Sequence, residues 1–374
     1  MSMNDNRAIC CIFRRPALYR EPIHRLMDRV FDIDWYFGND GQDIKCYDTA
    51  IHERSQTLPV KKIFGSLYYA KGELGLLFRK EYQTFLMLNS THNISVWAFA
   101  LCKNLFFPKK KVYYWCHGWY GKETWIEKRI KKFLFSAADG IFTYGEYARD
   151  LMICEGIDGS KIWPIHNSLD HDRQVAIRQS GLTDPVYVDH FGNKFPVLIF
   201  IGRLTPVKRI DLLIKAMSNL RERGCDYNLI LVGDGAEREK LEHLAREKNL
   251  GNRVWFYSAC YDEAINARLI HNADLCVAPG NIGLTAMHTM VFGTPALTHD
   301  SFEWQMPEFQ AIKDGQTGTF FHKDDVESLA DAIQRWFENH TDREAIRQAC
   351  YDEIDNNWTP QYQINVLKIN INLR

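Results

Sequence analysis

Apolar runs alternate with amphipathic stretches through the second half of the chain. The run 195–204 predicts a strand, and 209–224 repeats its apolar residues at helical spacing before a glycine. The alternation continues with strands at 227–235, 253–258, 273–279 and 294–300, and with amphipathic helices at 236–251 and 325–340. Continuous apolar strands between helices indicate βαβ units on a parallel sheet that is buried on both faces. Ligands of such sheets lie outside the carboxyl ends of the strands.

The first half shows the same rhythm less cleanly. Strands are predicted at 7–13, 32–38, 84–90, 111–118, 140–145 and 161–167, and helices at about 20–30, 92–104, 123–137 and 145–155. The stretch 171–194 lacks periodicity and contains breakers, which favours a linker. The sequence therefore predicts an α/β chain of two doubly wound domains. Their expected extents are 1–175 and 195–355, with a linker at 176–194 and a tail at 356–374 that packs back across the domains.

Composition and charge narrow the class of protein. The chain has 374 residues, 46% hydrophobic and 25% charged, with a net charge of -1. This balance is typical of a globular protein of two domains, and the charge argues against a molecule that binds polyanions as a whole. The 10 cysteines and 13 histidines show no zinc-type spacing, and no apolar run is long enough to span a bilayer. With no signal-like N-terminal segment visible, we expect a cytoplasmic protein that touches membranes only peripherally.

Two loops of the second half carry chemistry that suits a phosphate. Arg203 and Lys208 follow a predicted strand, where two cations can clamp a diphosphate. A solvated basic turn is the alternative. The sequence VGDG places Gly233 and Gly235 after the next strand, where they allow a close approach of the backbone to a ligand.

The segment APGNIGLTAMHTMVFGTPAL is the most informative one. Gly280 and Gly283 flank a predicted turn, and a short helix begins near Leu284. The amides of Gly283, Leu284 and Thr285 would point at an anion, assisted by the helix dipole. His288 lies on the same helical face as Thr285. It is either a ligand contact or a buried structural histidine.

In the first half, the sequence YYWCHGWYGKETW places His117 and Gly118 at the end of a strand. A histidine there can bond a sugar hydroxyl or polarise a reacting group, or it is a satisfied loop residue.

The surrounding region 101–135 is basic. Its cations are Lys103, Lys109, Lys110, Lys111, Lys122, Lys128, Arg129, Lys131 and Lys132, and its acids are Glu123 and Glu127, so nine minus two gives +7. Interleaved aromatics make this a candidate for contact with an anionic membrane or a lipid-linked acceptor. A plain solvated face is equally compatible, and nucleic acid is the weaker interpretation.

Together these segments resemble the retaining glycosyltransferases of family 4 (group 1). The resemblance is carried by IGRLTPVKRIDLLIKA, LILVGDGAEREKL, NRVWFYSACYDE, the donor-like segment above, IKDGQTGTFF, WCHGWYG and IHNSLD. It implies the GT-B fold, in which two Rossmann-like domains face each other across a cleft. It also implies a nucleotide-sugar donor on the second domain and a glycan or lipid-linked acceptor on the first.

The resemblance assigns roles to particular residues. The implied donor contacts are Gly202, Arg203, Lys208, Gly233, Trp255, Phe256, Asn281, Ile282, Gly283, Leu284, Thr285 and His288. The implied acceptor contacts are Arg15, Tyr19, Arg20, His117, Gly118 and Trp119. Arg203 and Lys208 would steady the leaving diphosphate, the segment 254–258 would line the base partly through its main chain, and His117 would lie near the reacting sugar.

Two departures from the family pattern stand out. Members usually carry two glutamates in the donor segment with seven residues between them, and here those positions are Gly280 and His288. His288 would then meet the ribose, and Asn281 or main-chain groups would meet the sugar. The usual glycine-rich first loop is replaced by RRPALYREPIH, whose Arg15, Tyr19, Arg20 and His24 contact acceptor or phosphate, or are structural.

The chemistry implied by the resemblance needs cations and aligned dipoles more than a protein base or a metal. Two D-x-D pairs, at 32–34 and 170–172, lie in a predicted strand and before the linker, and metal binding is the weaker interpretation of both. We expect no cofactor and a donor of the UDP or GDP type. The alternatives are a sugar-nucleotide-binding protein without transferase activity and a GT-B-fold epimerase or phosphorylase.

Overall fold

The computed structural model describes residues 8–39, 45–88 and 90–371. The chain forms two compact units. The first contains the residues up to Asp170 and those from Pro360 onward, and the second contains His171–Thr359. The chain therefore leaves the first unit once and returns to it.

The first unit is built on a parallel sheet of seven strands. The strands of this unit are β1 (Ile9–Phe13), β2 (Ile33–Gly38), β3 (Ser55–Leu58), β4 (Val60–Phe64), β5 (Leu67–Ala70), β6 (Thr84–Leu88), β7 (Lys111–Cys116), β8 (Gly140–Thr143) and β9 (Ile162–Pro164). The order across the sheet is β3-β2-β1-β6-β7-β8-β9, and β4 and β5 form a separate antiparallel hairpin. The strand order reverses between β1 and β6, which is the switch point at which ligands of such sheets bind.

Both faces of this sheet are buried, which explains the continuous apolar runs. Along β1, Cys10 and Ile12 enter one core cluster. Ile9, Cys11 and Phe13 enter the other. Successive side chains of a strand point to opposite faces, so all of them must be apolar where helices cover both sides.

The helices of the first unit that precede Asp170 are α1 (Glu21–Val30), α2 (Glu73–Leu76), α3 (Ile94–Phe106), α4 (Trp125–Ser136) and α5 (Glu146–Cys154). Two of them, α3 and α4, begin at a side chain that caps the helix. At α4, the carboxylate of Glu127 accepts from the Thr124 amide at 2.8 Å, and the Thr124 hydroxyl accepts from the Glu127 amide at 3.4 Å. This reciprocal pair satisfies two amides that the first helical turn leaves without partners. Short 3₁₀ helices lie at Leu18–Arg20, Thr49–Ile51 and Gly159–Lys161.

The second unit is built on a parallel sheet of six strands in the order β12-β11-β10-β13-β14-β15. These are β10 (Val197–Ile201), β11 (Asn228–Val232), β12 (Val254–Tyr257), β13 (Leu275–Ala278), β14 (Ala296–His299) and β15 (Gly318–Phe321). Its helices are α6 (His171–Gln179), α7 (Val186–Phe191), α8 (Ile210–Glu222), α9 (Arg238–Glu247), α10 (Glu263–Asn272), α11 (Thr285–Met290), α12 (Val326–Asn339) and α13 (Arg343–Asn357), with 3₁₀ helices at Pro206–Lys208, Phe302–Trp304 and Pro307–Ala311.

The segment predicted as a linker, 176–194, is part of the second unit. It contains the end of α6 and all of α7, and the buried Tyr187 donates to the carbonyl of Leu269 at 2.6 Å. The boundary between the units lies at Asp170 rather than at residue 175. A helix as short as α7 has fewer than two turns, so its apolar spacing is too brief to reveal a period.

The last helix, α14 (Pro360–Asn370), belongs to the first unit. Ile364 and Leu367 are buried in its core. Gln363 accepts from the Ser168 hydroxyl at 2.6 Å and donates to the His166 carbonyl at 2.9 Å. The tail that was predicted to pack back thus completes the unit in which the chain begins. None of the helices in the described ranges is long and apolar enough to cross a membrane.

Candidate functional site

Two cations lie together after β10 in the second unit. Arg203 is exposed, and Lys208 ends the 3₁₀ helix Pro206–Lys208. The ammonium of Lys208 donates to the carbonyl and side-chain oxygens of Asn281 at 2.7 and 2.8 Å. Burial lowers the pKa of Lys208, the charge of Arg203 lowers it further, and Glu308 acts in the opposite direction. The two residues predicted to bind the diphosphate therefore lie at the carboxyl end of a central strand, close enough for the charge of Arg203 to lower the pKa of Lys208.

The structure explains why position 280 carries no acid. A Cβ atom at Gly280 would lie 2.0 Å from the Val207 carbonyl oxygen and 2.8 Å from the Lys208 Cα. The Gly280 amide donates to the Lys208 carbonyl at 3.0 Å, which holds the two segments together. Any side chain here would displace the turn that carries Lys208. The side-chain oxygen of Asn281 accepts a hydrogen bond from Lys208, so this side chain fixes the position of the ammonium group.

Gln305 and Thr285 fix the turn before α11. The buried Gln305 accepts from the Ile282 amide at 2.9 Å and donates to the Thr298 hydroxyl at 2.8 Å. Thr285 donates its hydroxyl to the Ile201 carbonyl at 3.1 Å, which ties the helix to the end of β10. Sequence reasoning missed Gln305, because an isolated glutamine forms no motif and its partners lie in other segments.

The amides at the start of α11 remain available. Gly283 adopts a left-handed conformation with φ +55°, which favours glycine. Within the described residues, the amides of Gly283, Leu284 and Thr285 have no hydrogen-bond acceptor. Such a turn can accommodate an anion.

His288 is paired with a carboxylate that the sequence analysis did not single out. Its Nε2 lies 3.1 Å from Oε1 of Glu263, the first residue of α10. Gln174 donates to the same oxygen at 2.8 Å. Burial tends to raise the pKa of Glu263, but the hydrogen bonds from His288 and Gln174 outweigh it and hold the pKa below its usual value. Side-chain exposures of 18% for His288 and 20% for Glu263 leave both accessible to a ligand.

In β12, the strand predicted to line the base, the ring of Trp255 packs within the second unit. It stacks on His190 of α7 with ring centroids 3.8 Å apart. The Phe256 carbonyl accepts from Arg238 at 3.1 Å. The tryptophan ring is therefore part of the packing between β12 and α7, and contact of residues 254–258 with a base stays a prediction.

The glycine loops after β10 and β11 touch each other. A Cβ atom at Gly233 would lie 1.9 Å from the Gly202 carbonyl oxygen, and one at Gly235 would lie 2.3 Å from the Leu204 carbonyl oxygen. These glycines thus permit contact between two backbones, which is a structural reason for their presence.

In the first unit, His117 follows β7 and lies beside an aromatic cluster. Its ring centroid is 4.7 Å from that of Tyr144. Burial, together with the charges of Arg20 and Lys131, lowers the pKa of His117 to about 4. Its Nδ1 is buried and has no partner among the described residues. The imidazole is therefore neutral at physiological pH and keeps a nitrogen free for a ligand. The adjacent Gly118 has φ +68° and accepts from Lys131 at 2.9 Å through its carbonyl.

The segment 14–24 lies where the family resemblance predicts a glycine-rich loop. Its three predicted acceptor contacts, Arg15, Tyr19 and Arg20, differ in burial. Arg15 and Tyr19 are half-buried, whereas Arg20 is buried and donates from Nη2 to the Tyr144 hydroxyl. The Tyr19 hydroxyl accepts from Arg20 Nε at 3.1 Å. Arg20, Tyr144 and His117 thus form one cluster after β1, β7 and β8.

Trp119 and His24 are core residues, which corrects the predicted acceptor contact of Trp119 and agrees with the structural alternative for His24. Trp119 is 2% exposed and packs against Phe135. His24 is fully buried, and its Nδ1 lies 2.6 Å from the Tyr47 hydroxyl, which is 2.9 Å from His52. Neither side chain presents a surface to an acceptor.

The basic region contains fewer solvated cations than its count of +7 suggests. Lys103 is buried and pairs with Asp139 at 2.9 Å. Lys110 is buried against two carbonyl groups, and Lys131 pairs with Glu123 at 2.6 Å. These three ammonium groups stabilise the fold instead of facing a partner.

The first D-x-D pair is also engaged within the unit. Asp32 and Asp34 both form ion pairs with Arg54. Asp34 in addition accepts from the Tyr82 hydroxyl at 2.5 Å. In the second pair, Asp170 ends the first unit and Asp172 is exposed in the first turn of α6.

Comparison with known proteins agrees with this arrangement in the second unit. Residues 189–353 match the model of the glycosyl transferases group 1 family. Alpha-D-kanosaminyltransferase of Streptomyces kanamyceticus is 27% identical over 156 residues, which cover 41% of this chain and 39% of that protein. D-inositol 3-phosphate glycosyltransferase of Nocardia farcinica is 27% identical over 219 residues, which cover 54% and 46%. The chain thus spans less than half the length of these two relatives.

Solved structures resemble the whole fold at low identity. Anabaena HepE in complex with UDP has a TM-score of 0.70 at 16% identity, with 97% of this chain and 99% of that chain covered. A glycosyltransferase from Rickettsia africae has a TM-score of 0.71 at 15% identity, with 98% of each chain covered. These likenesses confirm the predicted α/β fold of the GT-B class. The chain therefore carries, within a GT-B fold, a region that matches the glycosyl transferases group 1 family.

Proposed function

We propose that this protein is a retaining, metal-independent glycosyltransferase of family 4. It moves a sugar from a nucleoside diphosphate donor to a glycan or lipid-linked acceptor in the synthesis of a surface polysaccharide or glycoconjugate. The observation that carries the proposal is the Lys208 ammonium, which Asn281 holds beside the glycine turn and its available amides. This is the arrangement that a donor diphosphate requires, and it lies inside the region that matches the group 1 family.

For this site we propose a donor of the UDP or GDP type, which two similar proteins support. One structural neighbour, Anabaena HepE, has been solved with UDP-glucose. One relative, 34% identical over 104 residues, is a GDP-mannose-dependent mannosyltransferase of Mycobacterium tuberculosis. In this chain, Arg203 and Lys208 would take the diphosphate, and the amides of residues 283–285 would take the phosphate nearest the sugar.

The reaction follows from the charges at this site. The bond between the sugar C1 and the phosphate oxygen breaks, and its electron pair goes to the diphosphate, whose growing negative charge Arg203 and Lys208 stabilise. The acceptor oxygen forms a bond to C1 on the same face, and its proton passes to the departing phosphate oxygen. This sequence needs no protein carboxylate at position 280, where the backbone leaves no space for one.

The ribose of the donor would be bound by Glu263 and His288 together. Glu263 occupies Nε2 of His288, so Nδ1 of the imidazole and the second oxygen of the carboxylate are left to meet ribose hydroxyls. In this proposal a carboxylate from α10 supplies the charge that the donor segment itself lacks.

A panel of UDP, GDP, ADP, dTDP and CMP, with their sugars, tests the donor site. We expect one nucleotide to raise the melting temperature of the full chain in a concentration-dependent manner. The absence of stabilisation by any member would overturn the proposal. Lys208→Ala should remove the stabilisation, whereas Lys215→Ala, on a half-buried lysine of α8 that pairs with Asp211 at 3.0 Å, should keep it.

A sugar-nucleotide-binding protein without activity is the second candidate. It is favoured by one observation, that position 280 can carry no side chain at all. Slow hydrolysis of the donor separates the two candidates. We expect hydrolysis by the wild type and its loss in His117→Ala, with nucleotide affinity unchanged. Binding without hydrolysis or transfer would favour the second candidate.

The exposed face of α3 and α4 supports peripheral membrane contact. Phe106 is 68% exposed and Trp125 is 71% exposed, and Lys109, Arg129 and Lys132 are exposed nearby in the sequence. Aromatic side chains with flanking cations suit the headgroup region of an anionic bilayer. We expect cosedimentation with vesicles of phosphatidylcholine and phosphatidylglycerol to exceed that with phosphatidylcholine alone, and to fall in Trp125→Ser. Equal binding to both vesicles would contradict this part of the proposal.

A further inference from the structure

Arg20 is a buried cation without a counter-ion in the described part of the first unit. The residue is 6% exposed. Its guanidinium donates to the hydroxyls of Tyr144 and Tyr19, and no described carboxylate forms an ion pair with it. The guanidinium carbon lies 5.3 to 5.8 Å from the ring centroids of Phe13, Tyr19, Trp115 and Tyr144. A guanidinium does not lose its proton in proteins, so a full positive charge remains in this aromatic surrounding.

Unused hydrogen-bond donors surround this charge; Nδ1 of His117 is one of them in the neutral tautomer that carries its proton on this nitrogen. Nη1 of Arg20, Nε1 of Trp115 and Nδ1 of His117 are all buried, and none has a partner among the residues that the structure describes. Tyr144 links two of them, because it accepts from Arg20 and its ring centroid lies 4.7 Å from that of His117. The three groups therefore belong to one cluster.

Such a cluster is unfavourable without a ligand. Buried polar groups are almost always hydrogen-bonded, and a buried charge normally has a partner of opposite sign. Contacts with aromatic faces offset part of the cost of burying a guanidinium, but they use none of its N–H groups. A ligand oxyanion would neutralise the charge and accept from the unused donors.

The position of the cluster also favours a ligand. Arg20 follows β1, His117 follows β7 and Tyr144 follows β8. In the sheet β1 and β7 flank β6, and β8 lies next to β7. The carboxyl ends of neighbouring parallel strands are where ligands of these sheets bind.

We infer that the first unit contains a subsite for an oxyanion, a phosphate or carboxylate, centred on Arg20 and His117. Resting on the proposed function, we assign this oxyanion to the acceptor, because Arg203 and Lys208 of the second unit already suit the donor diphosphate. The acceptor would then be an acidic glycan or a glycosyl phosphate rather than a neutral sugar.

Ligand-observed NMR titrations of the full chain test this inference. The probes are α-D-glucose 1-phosphate, D-glucuronate, neutral D-glucose and, for the donor side, UDP. We expect the wild type to bind both anions about tenfold more tightly than glucose, the ratio that one charge-assisted hydrogen bond supplies. Arg20→Met should abolish this preference, and Arg20→Lys should keep part of it. The control Arg25→Met, on an exposed residue of α1 that pairs with Glu21, should match the wild type.

Each outcome decides one question. A wild type that binds the anions no better than glucose, or an Arg20→Met variant that keeps the preference, overturns the subsite. Loss of UDP affinity in Arg20→Met, with glucuronate binding unchanged, assigns the oxyanion to the donor and overturns the acceptor assignment. A preference that depends on Arg20 in a protein that binds no nucleotide supports the subsite while the proposed function fails. If Arg20→Met does not fold, Tyr144→Phe removes the hydroxyl that holds the guanidinium and should reduce the preference.

Discussion

Nε2 of His288 lies 3.1 Å from Oε1 of Glu263, and the two residues come from different helices. The pair places a carboxylate next to His288, at the position where the family resemblance predicts a glutamate. Gln174 donates to the same carboxylate at 2.8 Å, so its position is fixed before any ligand arrives. Glu263 thus brings a carboxylate to this site although the segment APGNIGLTAMHTMVFGTPAL contains no acidic residue.

Substitution of Glu263 by glutamine should weaken nucleotide binding through the ribose. The change keeps the shape and removes the charge, and hydrogen bonds to charged groups contribute about 1.5–3 kcal/mol. We expect affinity for the ribonucleoside diphosphate that the panel selects to fall about tenfold or more, and affinity for its 2′-deoxy form to fall less. Isothermal titration calorimetry with both ligands measures the ratio.

The exposed Glu239 of α9 provides the matched control, since Glu239→Gln should leave both affinities unchanged. A ratio of ribose to deoxyribose affinity that is the same in Glu263→Gln and wild type would show that the pair is only structural. If Glu263 and His288 bind the ribose, His288→Glu should keep the preference for the ribonucleotide over its 2′-deoxy form, because the substitution adds a carboxylate to the donor segment.

Lys208 should contribute more to diphosphate binding than Asn281 does. Lys208→Met removes a charge that would contact phosphate, and we expect affinity to fall about 10- to 100-fold. Asn281→Ala leaves the charge but removes one of the two oxygens that hold it, so we expect a smaller loss. Calorimetric titration with nucleoside diphosphate against nucleoside monophosphate is the measurement. Equal losses for both nucleotides would place Lys208 away from the second phosphate.

Gly280→Ala should destabilise the second unit. The new methyl group would meet the Val207 carbonyl oxygen at 2.0 Å, so the turn before α8 must move. Overpacking of this kind costs about 1–3 kcal/mol. We expect a lower denaturation midpoint together with weaker nucleotide binding, because the same turn carries Lys208. Gly251→Ala is the control, since the nearest atom to its Cβ lies 4.0 Å away. A stable Gly280→Ala protein with normal nucleotide affinity would contradict this account.

The sequence predicted most of the fold because buried parallel strands have an unambiguous signature. The predicted strand 111–118 corresponds to β7 (Lys111–Cys116), and the predicted helix 325–340 corresponds to α12 (Val326–Asn339). The strands β3, β4, β5 and β15 were missed. In β4 (Val60–Phe64) every residue but the first is exposed, so no burial pattern marks it.

Candidate site residues were identified where they lie within one short segment, and others were missed because only tertiary structure brings them together. The cations and glycine loops lie within short motifs, and the family match includes them. Glu263 is 25 residues from His288, and Gln305 is 23 residues from Ile282. No spacing along one chain indicates such pairs, because they meet only when separate βα units pack side by side.

The free energy of unfolding should decrease as pH falls from about 6.5 to about 4. Burial, with the charges of Arg20 and Lys131, lowers the pKa of His117 from 6.5 to about 4 in the folded state. Between these values the unfolded chain binds a proton that the folded chain does not, so the stability is complete above pH 6.5 and is lost as pH falls. Burial lowers the pKa of His24 in the same direction. Urea denaturation at pH 7 and pH 5 should therefore show a smaller decrease in unfolding free energy for His117→Asn than for wild type.

In Arg20→Met, removal of the neighbouring charge should raise the pKa of His117, as measured by NMR titration of its ring protons. An unchanged His117 pKa in that variant would show that Arg20 does not act on the imidazole, and equal pH dependence in wild type and His117→Asn would show that the folded protein keeps an ordinary histidine there.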